Sequence, residues 1–282
     1  MSRFTVLGGS GFIGRHLVAH LRGAGHEVWA PARGEAICAR PLGHVIYAIG
    51  LTGDFRQRPF DTVEAHVGLL GRVLREAEFD SFLYLSSTRV YGGLPADTLA
   101  SEELALPQRP TLDGLYDLSK LLGEALCLAL PNPAIRVVRL SNVYGLGQSR
   151  HTFLQMLLDS LAQDGAVEIG EAPESSKDYV ALADVLELLP RIALQGRERL
   201  YNLAGGEAIS HRQLADCLQA AGAGRVRFAA AGATRRFPHI DISRLQREFA
   251  WQPRRLVEQL PALIEPSGRS AHSSIENHKE SL

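Results

Sequence analysis

Tyr116 and Lys120, four residues apart in the segment YDLSK, are side chains that could carry out proton transfer. On a helix, residues at this spacing project from one face. A tyrosine with a pKa near 10 is a poor acid or base at neutral pH, but an ammonium about 5 Å away contributes roughly 3 kcal/mol at an effective dielectric of about 20, or about two pKa units. The pair therefore predicts a usable acid/base group, although a Tyr–Lys pair taken alone is more often a solvated helix face.

Three hydroxyl side chains, Ser86, Ser87 and Thr88, stand at the end of an apolar segment upstream of this pair. If that segment is a strand, one of the hydroxyls can hold a carbonyl or alcohol oxygen beside Tyr116 while a proton moves. The two motifs indicate chemistry because they follow, in this order, a glycine-rich turn near the start of the chain.

That turn is GGSGFIG at 8–14, between the apolar run RFTVL and an amphipathic helix pattern. Gly8 permits a tight turn, Gly11 lets the backbone approach a pyrophosphate, and Gly14 lets the helix pack closely on the strand. The start of the helix offers unpaired N–H groups to phosphate oxygens. The segment predicts a dinucleotide site in which the cofactor contacts Gly8, Ser10, Gly11, Phe12, Ile13 and Gly14.

Arg33 lies in WAPARGE, where the second strand of such a unit ends. An acidic residue at this place normally accepts hydrogen bonds from the ribose hydroxyls of NAD. Arginine favours a 2′-phosphate instead, because its planar fork pairs with phosphate oxygens. Arg33 therefore favours NADP(H) as the cofactor. Glu35, two residues on, could still reach a ribose, so NAD(H) stays open.

The segments that must position these residues alternate between strand and helix. Near-continuous apolar runs predict buried parallel strands, and they lie at 3–7, 26–32, 44–49, 81–87 and 134–140. Helices are predicted after the glycine turn, at 61–77 and at 115–130, the second of these opening with Asp61 and Glu64 at capping-box spacing. The alternation predicts an α/β fold with a Rossmann-type, doubly wound parallel sheet.

After about residue 148 the pattern changes to a smaller, mixed C-terminal substrate domain. It contains a helix that tolerates Pro190, a strand at 199–204 and a helix opened by a Ser210/Gln213 capping box. We predict an NAD(P)-binding domain over 1–148 plus 178–204 and a substrate-binding domain over 149–177 and 205–265. The polar segment 266–282 is predicted to be a disordered tail.

Composition sets broad bounds on the 282-residue chain, which is 45% apolar and 22% charged with a formal net charge of −1. This balance gives no electrostatic reason to expect nucleic acid or an anionic membrane as a partner. Cys38, Cys127 and Cys217 lie too far apart to suggest a disulfide framework or a zinc site. His16 and His20 share a helix face without a third ligand, so no metal is predicted. Without a signal peptide or an 18-residue apolar run, a cytoplasmic protein is expected.

Seven motifs in order resemble the NAD-dependent epimerase/dehydratase family of extended short-chain dehydrogenases/reductases, which modify nucleotide sugars. The resemblance spans roughly 3–262 and rests on GGSGFIG, YLSSTRVYG, YDLSK, RLSNVYG, KDYVALADV, YNLAGGEAIS and DISRLQREFAWQP. It implies that Tyr116 and Lys120 are the catalytic pair, with further cofactor contacts at both of these and at Ala48, and that Ser87 is the catalytic hydroxyl. It also implies four substrate contacts, with Thr88 near the sugar and with Asn142, Lys177 and Arg236 at the phosphates of the nucleotide.

Three departures from the family narrow the expected reaction, and the first is Arg33, described above, where the family has an acid. Sugar 4,6-dehydratases carry Asp-Glu where this chain has Thr88 and Arg89, so the acid that protonates a leaving hydroxyl is missing. Only about a dozen residues join the second and third strands, which predicts a trimmed adenine side of the sheet and is similar to reductases of 4-keto sugars. Lys177 stands where the family usually has arginine. His66 replaces an Asn that the family often has, and a structural role is expected for it.

The resemblance implies a reductase that acts on a keto group of a nucleotide-activated sugar with NADPH. Tyr116 would donate the proton, Lys120 would tune Tyr116 and bind the nicotinamide ribose, and Ser87 would orient the oxygen. The alternatives are an NAD-dependent nucleotide-sugar 4-epimerase, a non-catalytic NAD(P)-binding protein, and an oxidoreductase of a non-sugar alcohol. The family also implies a homodimer that pairs through the helices at 61–77 and 115–130.

Overall fold

The computed structural model describes residues 1–264, and the tail predicted at 266–282 lies outside the described residues. The strands in this part of the chain are β1 (Arg3–Leu7), β2 (Glu27–Trp29), β3 (His44–Tyr47), β4 (Ser81–Ser87), β5 (Leu99–Ala100), β6 (Ile135–Leu140), β7 (Asn142–Tyr144), β8 (Ala166–Glu171), β9 (Ser176–Ala181), β10 (Leu200–Leu203), β11 (Ala208–Ser210), β12 (Arg225–Ala233) and β13 (His239–Ile240).

The helices are α1 (Phe12–Gly23), α2 (Pro59–Val63), α3 (Leu69–Glu76), α4 (Gly114–Ala129), α5 (Phe153–Asp164), α6 (Leu182–Gln195), α7 (His211–Ala220), α8 (Ser243–Phe249) and α9 (Leu256–Ile264). A π-helical turn at Glu64–Gly68 joins α2 to α3. Short 3₁₀ turns occur at Ile37–Ala39 and Thr88–Tyr91. None of the helices within residues 1–264 has both the length and the apolar character needed to cross a bilayer.

Six parallel strands form the central sheet, in the order β10-β6-β4-β3-β1-β2. The direction of winding reverses between β1 and β3, the point at which such sheets bind ligands. Alternate residues of β1 face opposite layers. Phe4 and Val6 pack with the α1 and α6 layer, and Leu7 packs with the α3 and α4 layer. Helices cover both faces, so the predicted Rossmann-type, doubly wound sheet is confirmed.

The adenine side of the sheet is trimmed, as the short connection predicted. β2 has three residues rather than the seven predicted, and it is the edge strand of the central sheet. Between β2 and β3 the chain forms only the 3₁₀ turn at Ile37–Ala39, and β3 pairs directly with β1.

The capping box predicted at Asp61 and Glu64 is wrong. The helix begins earlier, at Pro59, and its N-cap residue Arg58 makes no side-chain cap. Asp61 lies in the first turn and accepts a hydrogen bond of 2.8 Å from the Arg58 side chain. Pro59 determines this start, because a proline fits the first turn of a helix, where its missing N–H has no partner to lose.

Three small sheets follow or flank the central sheet: β11-β9-β7, β12-β8 and β13-β5. A second apolar cluster gathers side chains from α5, α7 and α9 around them. The Ser210/Gln213 capping box is present at the start of α7, and α6 carries Pro190 in its interior, as predicted. The mixed C-terminal region is therefore confirmed, while the domain boundaries stay a prediction.

A buried ion pair links the central sheet to α4. Glu124 and Arg139 are 3% and 4% exposed, and the Arg139 guanidinium donates to both oxygens of the Glu124 carboxylate at 2.6–3.2 Å. Ser86 also donates to Glu124. Arg139 continues to the Tyr91 hydroxyl at 2.7 Å. The network fixes α4 relative to the ends of β4 and β6.

We expect Glu124→Gln to lower the free energy of unfolding by about 3–5 kcal/mol, because it leaves the Arg139 charge buried without its counter-ion. The matched control is Glu207→Gln, which removes an exposed ion pair with Arg255 and should cost no more than about 1 kcal/mol. Urea unfolding followed by circular dichroism measures both. Equal losses in the two variants would contradict the assignment of this network as a structural anchor.

Candidate active site

A cleft of about 990 Å³ opens at the carboxyl ends of the central strands. The glycine turn and the ends of β3, β4 and β6 line the cleft, together with the start of α4, β9 and the segment 234–237. This is the place where doubly wound sheets bind nucleotides.

The glycine turn has the geometry that a dinucleotide pyrophosphate requires. Gly8 has a φ of +91°, and a Cβ at this position would lie 2.8 Å from the Ala48 carbonyl carbon. A Cβ on Gly14 would overlap the Gly8 carbonyl. Helix α1 has Gly11 as its N-cap, with no side-chain cap and no acid in the first turn. Its N–H groups therefore stay available to phosphate oxygens, and these residues fit a dinucleotide.

Seven of the predicted cofactor residues line the cleft, and two others lie behind it in the glycine turn. Gly11, Phe12, Ile13, Gly14 and Ala48 line it, together with Tyr116 and Lys120. Gly8 and Ser10 lie in the turn behind them.

Arg33 lies apart from the cleft wall, in the exposed loop after β2. In the part of the chain described, its guanidinium makes no hydrogen bond or ion pair. The Glu35 carboxylate instead accepts a hydrogen bond of 2.9 Å from the Ala32 backbone N–H. This bond closes the loop on itself and leaves Arg33 as its outward-facing charge.

Tyr116 is buried near the start of α4 and lines the cleft. The rings of His66 and Phe55 lie 5.3 and 5.4 Å from its ring, and the Arg89 guanidinium carbon lies 4.8 Å from its ring centroid. Burial raises the pKa of Tyr116 to about 12, while the Arg89 charge and a hydrogen bond with Ser87 act in the opposite direction. Tyr116 therefore holds its proton at neutral pH.

Lys120 is also buried, one turn further along α4. Its ammonium donates a hydrogen bond of 2.8 Å to the Leu85 carbonyl and lies 5.1 Å from the centroid of the Tyr84 ring. Burial lowers the pKa of Lys120 to about 7, and the nearby Glu124 carboxylate opposes this shift. Burial thus disfavours the charged form of both Tyr116 and Lys120.

Ser87 is the last residue of β4 and lies beside Tyr116. Its hydroxyl accepts a hydrogen bond of 3.2 Å from the Arg89 backbone N–H, which caps the 3₁₀ turn at Thr88–Tyr91. The Ser87 hydroxyl also shares a hydrogen bond with the Tyr116 side chain. Thr88 is buried and lines the cleft. The structure brings the three predicted catalytic side chains together at one end of β4.

His66 lies behind Tyr116, within the π-helical turn. Its Nε2 accepts from the Leu51 N–H at 3.3 Å, and its Nδ1 lies 2.8 Å from the Ser119 hydroxyl oxygen. Ser119 in turn donates to the Tyr116 carbonyl at 2.8 Å. Burial, with the Lys120 charge, lowers the pKa of His66 to about 2. The hydrogen bonds assign a neutral ring protonated at Nδ1, which agrees with the structural role expected for this histidine.

The predicted phosphate residues come from β7, β9 and the segment that follows β12. Asn142 donates a hydrogen bond of 2.8 Å to the Asp178 carbonyl. The Lys177 ammonium lies 5.1 Å from the centroid of the Phe153 ring, and burial lowers its pKa. Arg236 is exposed on the segment that follows β12. All three predicted residues line the same cleft.

Sequence reasoning missed much of the positive charge here. Five arginines and two lysines line the cleft against three aspartates. The arginines not predicted to contact substrate are Arg56, Arg89, Arg109 and Arg235. In the sequence, Arg235 could be noticed as part of the basic segment 235–237. The other three arginines come from separate segments, and only the fold brings them to one cleft.

The chain matches the NAD dependent epimerase/dehydratase family over residues 4–204. It is 30% identical over 247 residues to GDP-6-deoxy-D-mannose reductase of Pseudomonas aeruginosa, covering 77% of this chain and 79% of that protein. It is 27% identical to dTDP-6-deoxy-L-talose 4-dehydrogenase (NAD(P)(+)) of Kitasatospora kifunensis, covering 92% of this chain and 93% of that protein. The solved structure of RMD from Pseudomonas aeruginosa complexed with NADPH shares the fold, with a TM-score of 0.79 at 23% identity over 95% of this chain and 99% of that one.

We expect Lys120→Met to raise Tm relative to the wild type, and by more at pH 6 than at pH 9. Wild-type stability increases as pH rises from about 7, the folded pKa of Lys120, towards its unfolded value of about 10.4, because only the unfolded state then holds the proton. Each kcal/mol corresponds to roughly 2–4 °C in Tm for a domain of about this size. Scanning calorimetry at several pH values measures the difference, and a difference independent of pH would contradict a charge buried at Lys120.

Proposed function

Because the chain belongs to the NAD-dependent epimerase/dehydratase family, we propose that it reduces a keto group on a nucleotide-activated sugar with NADPH, as a reductase of the 4-keto sugar type. The chain is an NAD(P)-dependent oxidoreductase of the extended short-chain dehydrogenase/reductase type. The direction of reaction, the cofactor preference and the residue roles belong to the proposal.

The observation that carries the proposal is the position of Tyr116 beside the Ser87 hydroxyl in the cleft, where burial raises the pKa of the phenol to about 12. Reduction needs a proton donor at the carbonyl oxygen, and a phenol whose pKa is raised to about 12 is protonated at neutral pH. The names of two relatives, a reductase and a 4-dehydrogenase, support an oxidoreductase over the epimerase alternative.

The proposed roles of the chain's own residues follow from their places in the cleft. Gly11, Phe12 and Ile13 bind the dinucleotide pyrophosphate at the start of α1. Ser87 donates a hydrogen bond that orients the carbonyl oxygen, and Tyr116 gives that oxygen its proton from Oη. When bound, the cofactor supplies the hydride.

Lys120 has a proposed place beside the nicotinamide ribose. Its ammonium donates to the Leu85 carbonyl at the end of β4 and lines the cleft wall there. An ammonium has three donors, so this bond leaves others for ribose hydroxyls.

The cleft supports an anionic substrate beside β7 and β9. Asn142, Lys177, Arg235 and Arg236 line it, and several cations in one cleft attract a pyrophosphate group. One relative's name refers to a GDP-linked sugar and another's to a dTDP-linked sugar. We therefore assign a nucleoside-diphosphate sugar to this part of the cleft, with Thr88 near the sugar.

A dehydratase remains disfavoured at the residues next to Ser87. Thr88 is buried and Arg89 carries a positive charge, so neither can protonate a leaving hydroxyl as a carboxylic acid would. Arg89 is instead paired with Asp117, at 3.1 Å between Nε and Oδ1.

The proposal includes NADP(H) as the preferred cofactor and a homodimer. The outward guanidinium of Arg33 supports the first. Apolar side chains exposed on α2 and α4 support the second, since Phe60 is 89% and Leu122 is 51% exposed.

We expect Tyr116→Phe to lower turnover of a nucleotide-linked 4-keto sugar by at least about a hundredfold, which is the low end of the contribution of a positioned acid. NADPH binding should change little, because the glycine turn is untouched. Turnover is followed as loss of NADPH absorbance and binding by calorimetry. Retained turnover would remove Tyr116 from the mechanism.

We expect Arg33→Ala to weaken NADPH binding about tenfold, or about 1.4 kcal/mol, and to leave NADH binding unchanged. The reason is the loss of the cation that pairs with the 2′-phosphate. Arg75→Ala, at an exposed arginine paired with Glu76 on α3, is the matched control. NAD released by denaturing freshly purified protein would favour the epimerase instead.

A further inference from the structure

Two arginine side chains beside Tyr116 have no role in the reduction of a neutral sugar. Arg56 and Arg89 line the cleft together with Tyr116 and Thr88, the residues placed at the sugar. A sugar ring without an ionised group forms no ion pair with a cation. The two arginines therefore indicate a further negative charge on the ligand that binds here.

Both guanidinium groups are held against the ring of Phe55. The guanidinium carbon of Arg56 lies 4.6 Å from the Phe55 centroid, and that of Arg89 lies 5.4 Å from it. Phe55 is 1% exposed, and its ring centroid lies 5.4 Å from that of Tyr116. The Arg89 carbon is itself 4.8 Å from the Tyr116 centroid. These contacts place both cations next to the residue at which reduction is proposed.

An aspartate orients each guanidinium and uses only one of its donors. Arg56 Nε donates to the Asp113 carboxylate at 2.5 Å, and Arg89 Nε donates to the Asp117 carboxylate at 3.1 Å. A guanidinium has five N–H donors. Within residues 1–264, the Nη groups of these two arginines make no hydrogen bond. Each arginine thus keeps its two Nη groups for a ligand in the cleft.

The local charge favours an anion despite the two aspartates. Arg109 also lines this cleft, from the exposed loop before α4. Three arginines, at 56, 89 and 109, stand against two aspartates, at 113 and 117, which leaves a net charge of one positive. A cleft lined by an excess of one sign of charge concentrates ligands of the opposite sign.

The Nη groups of an arginine match the two oxygens of a carboxylate or a phosphate. The phosphates already have proposed places in the cleft. The diphosphate of the substrate is assigned to Lys177, Arg235 and Arg236, and the pyrophosphate of the cofactor is assigned to the glycine turn. The anion that remains for Arg56 and Arg89 is a carboxylate on the sugar.

We propose that Arg56 and Arg89 bind a carboxylate carried by the sugar, so that the substrate class is a nucleotide-activated uronic acid rather than a neutral hexose. The inference rests on the proposed function, because it takes the sugar to lie at Tyr116. The two relatives are named for 6-deoxy sugars, which carry a methyl group where a uronic acid carries its carboxylate. The proposed substrate therefore differs from theirs in charge at this carbon.

Equilibrium binding tests the proposal without turnover. The full chain with Tyr116→Phe, which keeps the ring that Arg89 contacts, is saturated with NADP⁺ and titrated by calorimetry. The ligands are matched pairs that differ at C6: UDP-glucuronic acid against UDP-glucose, and GDP-mannuronic acid against GDP-mannose. In at least one pair, we expect the acidic sugar to bind about tenfold more tightly, the effect of a charge-assisted hydrogen bond.

Substitutions in the same background identify the groups responsible. Arg56→Gln and Arg89→Gln should each weaken binding of the acidic sugar about tenfold and change binding of the neutral sugar less than about twofold. Arg89→Lys keeps the charge without the paired Nη groups, so it should lose less, and it replaces Arg89→Gln if that variant folds poorly. The matched control is Arg58→Gln, a neighbouring arginine paired with Asp54 and Asp61, which should change neither affinity.

Two results would overturn the proposal. One is that neither acidic sugar binds at least about threefold more tightly than its neutral partner. The other is that Arg56→Gln and Arg89→Gln weaken the acidic and neutral sugars equally, which would place both arginines at the diphosphate.

Turnover separates this inference from the proposed function. The wild type is assayed with NADPH and a neutral nucleotide-linked 4-keto sugar. Reduction of that sugar without a preference for acidic ligands would overturn the inference and leave the reductase standing. A tenfold preference for an acidic ligand, lost in both arginine variants, would support the carboxylate site even if no 4-keto sugar were reduced.

Discussion

The buried pair between Glu124 and Arg139 is the interaction on which the site geometry depends. It joins α4, which carries Tyr116 and Lys120, to the strands whose ends carry Ser87 and the cleft floor. The Ser86 hydroxyl binds the same carboxylate, so the residue next to Ser87 is fixed by the same contact. A charge pair in a dry interior tolerates little displacement, since a buried ion separated from its partner lowers the stability of the fold. The Glu124–Arg139 network beneath the cleft therefore maintains the distance between the Ser87 and Tyr116 hydroxyls.

Local signals predicted the parts of this protein that depend on few neighbours. The glycine turn, the buried strands other than β2 and the Ser210 capping box follow from backbone sterics, burial and one short hydrogen-bond pattern, and the structure contains each of them. β2 is shorter than predicted and is not buried. The capping box at Asp61 failed because Pro59 starts the helix two residues earlier. The segments β5, β7 and β13 are too short to carry a periodic pattern of their own.

The electrostatics of the site could not be predicted from spacing. YDLSK placed Tyr116 and Lys120 on one helix face, but the direction of each side chain depends on the strand beneath, where the Leu85 carbonyl takes the ammonium. Arg89 belongs to a different segment and meets Tyr116 only through the 3₁₀ turn that follows β4. Burial then shifts the two members of the predicted pair in opposite directions, a solvation effect that no one-dimensional pattern records.

The short edge strand β2 affects the residence time of a bound cofactor. A dinucleotide whose adenosine lies against three edge residues and an open loop keeps part of its surface in water, so it gains less from desolvation than one enclosed by further strands. Dissociation is the step most sensitive to such lost contact. Rapid exchange of the cofactor suits an enzyme that consumes one reduced nucleotide in each cycle. An enzyme that regenerates its own cofactor would benefit from a closed pocket. For the proposed reductase, the abbreviated edge therefore favours a cofactor that exchanges with the surrounding pool.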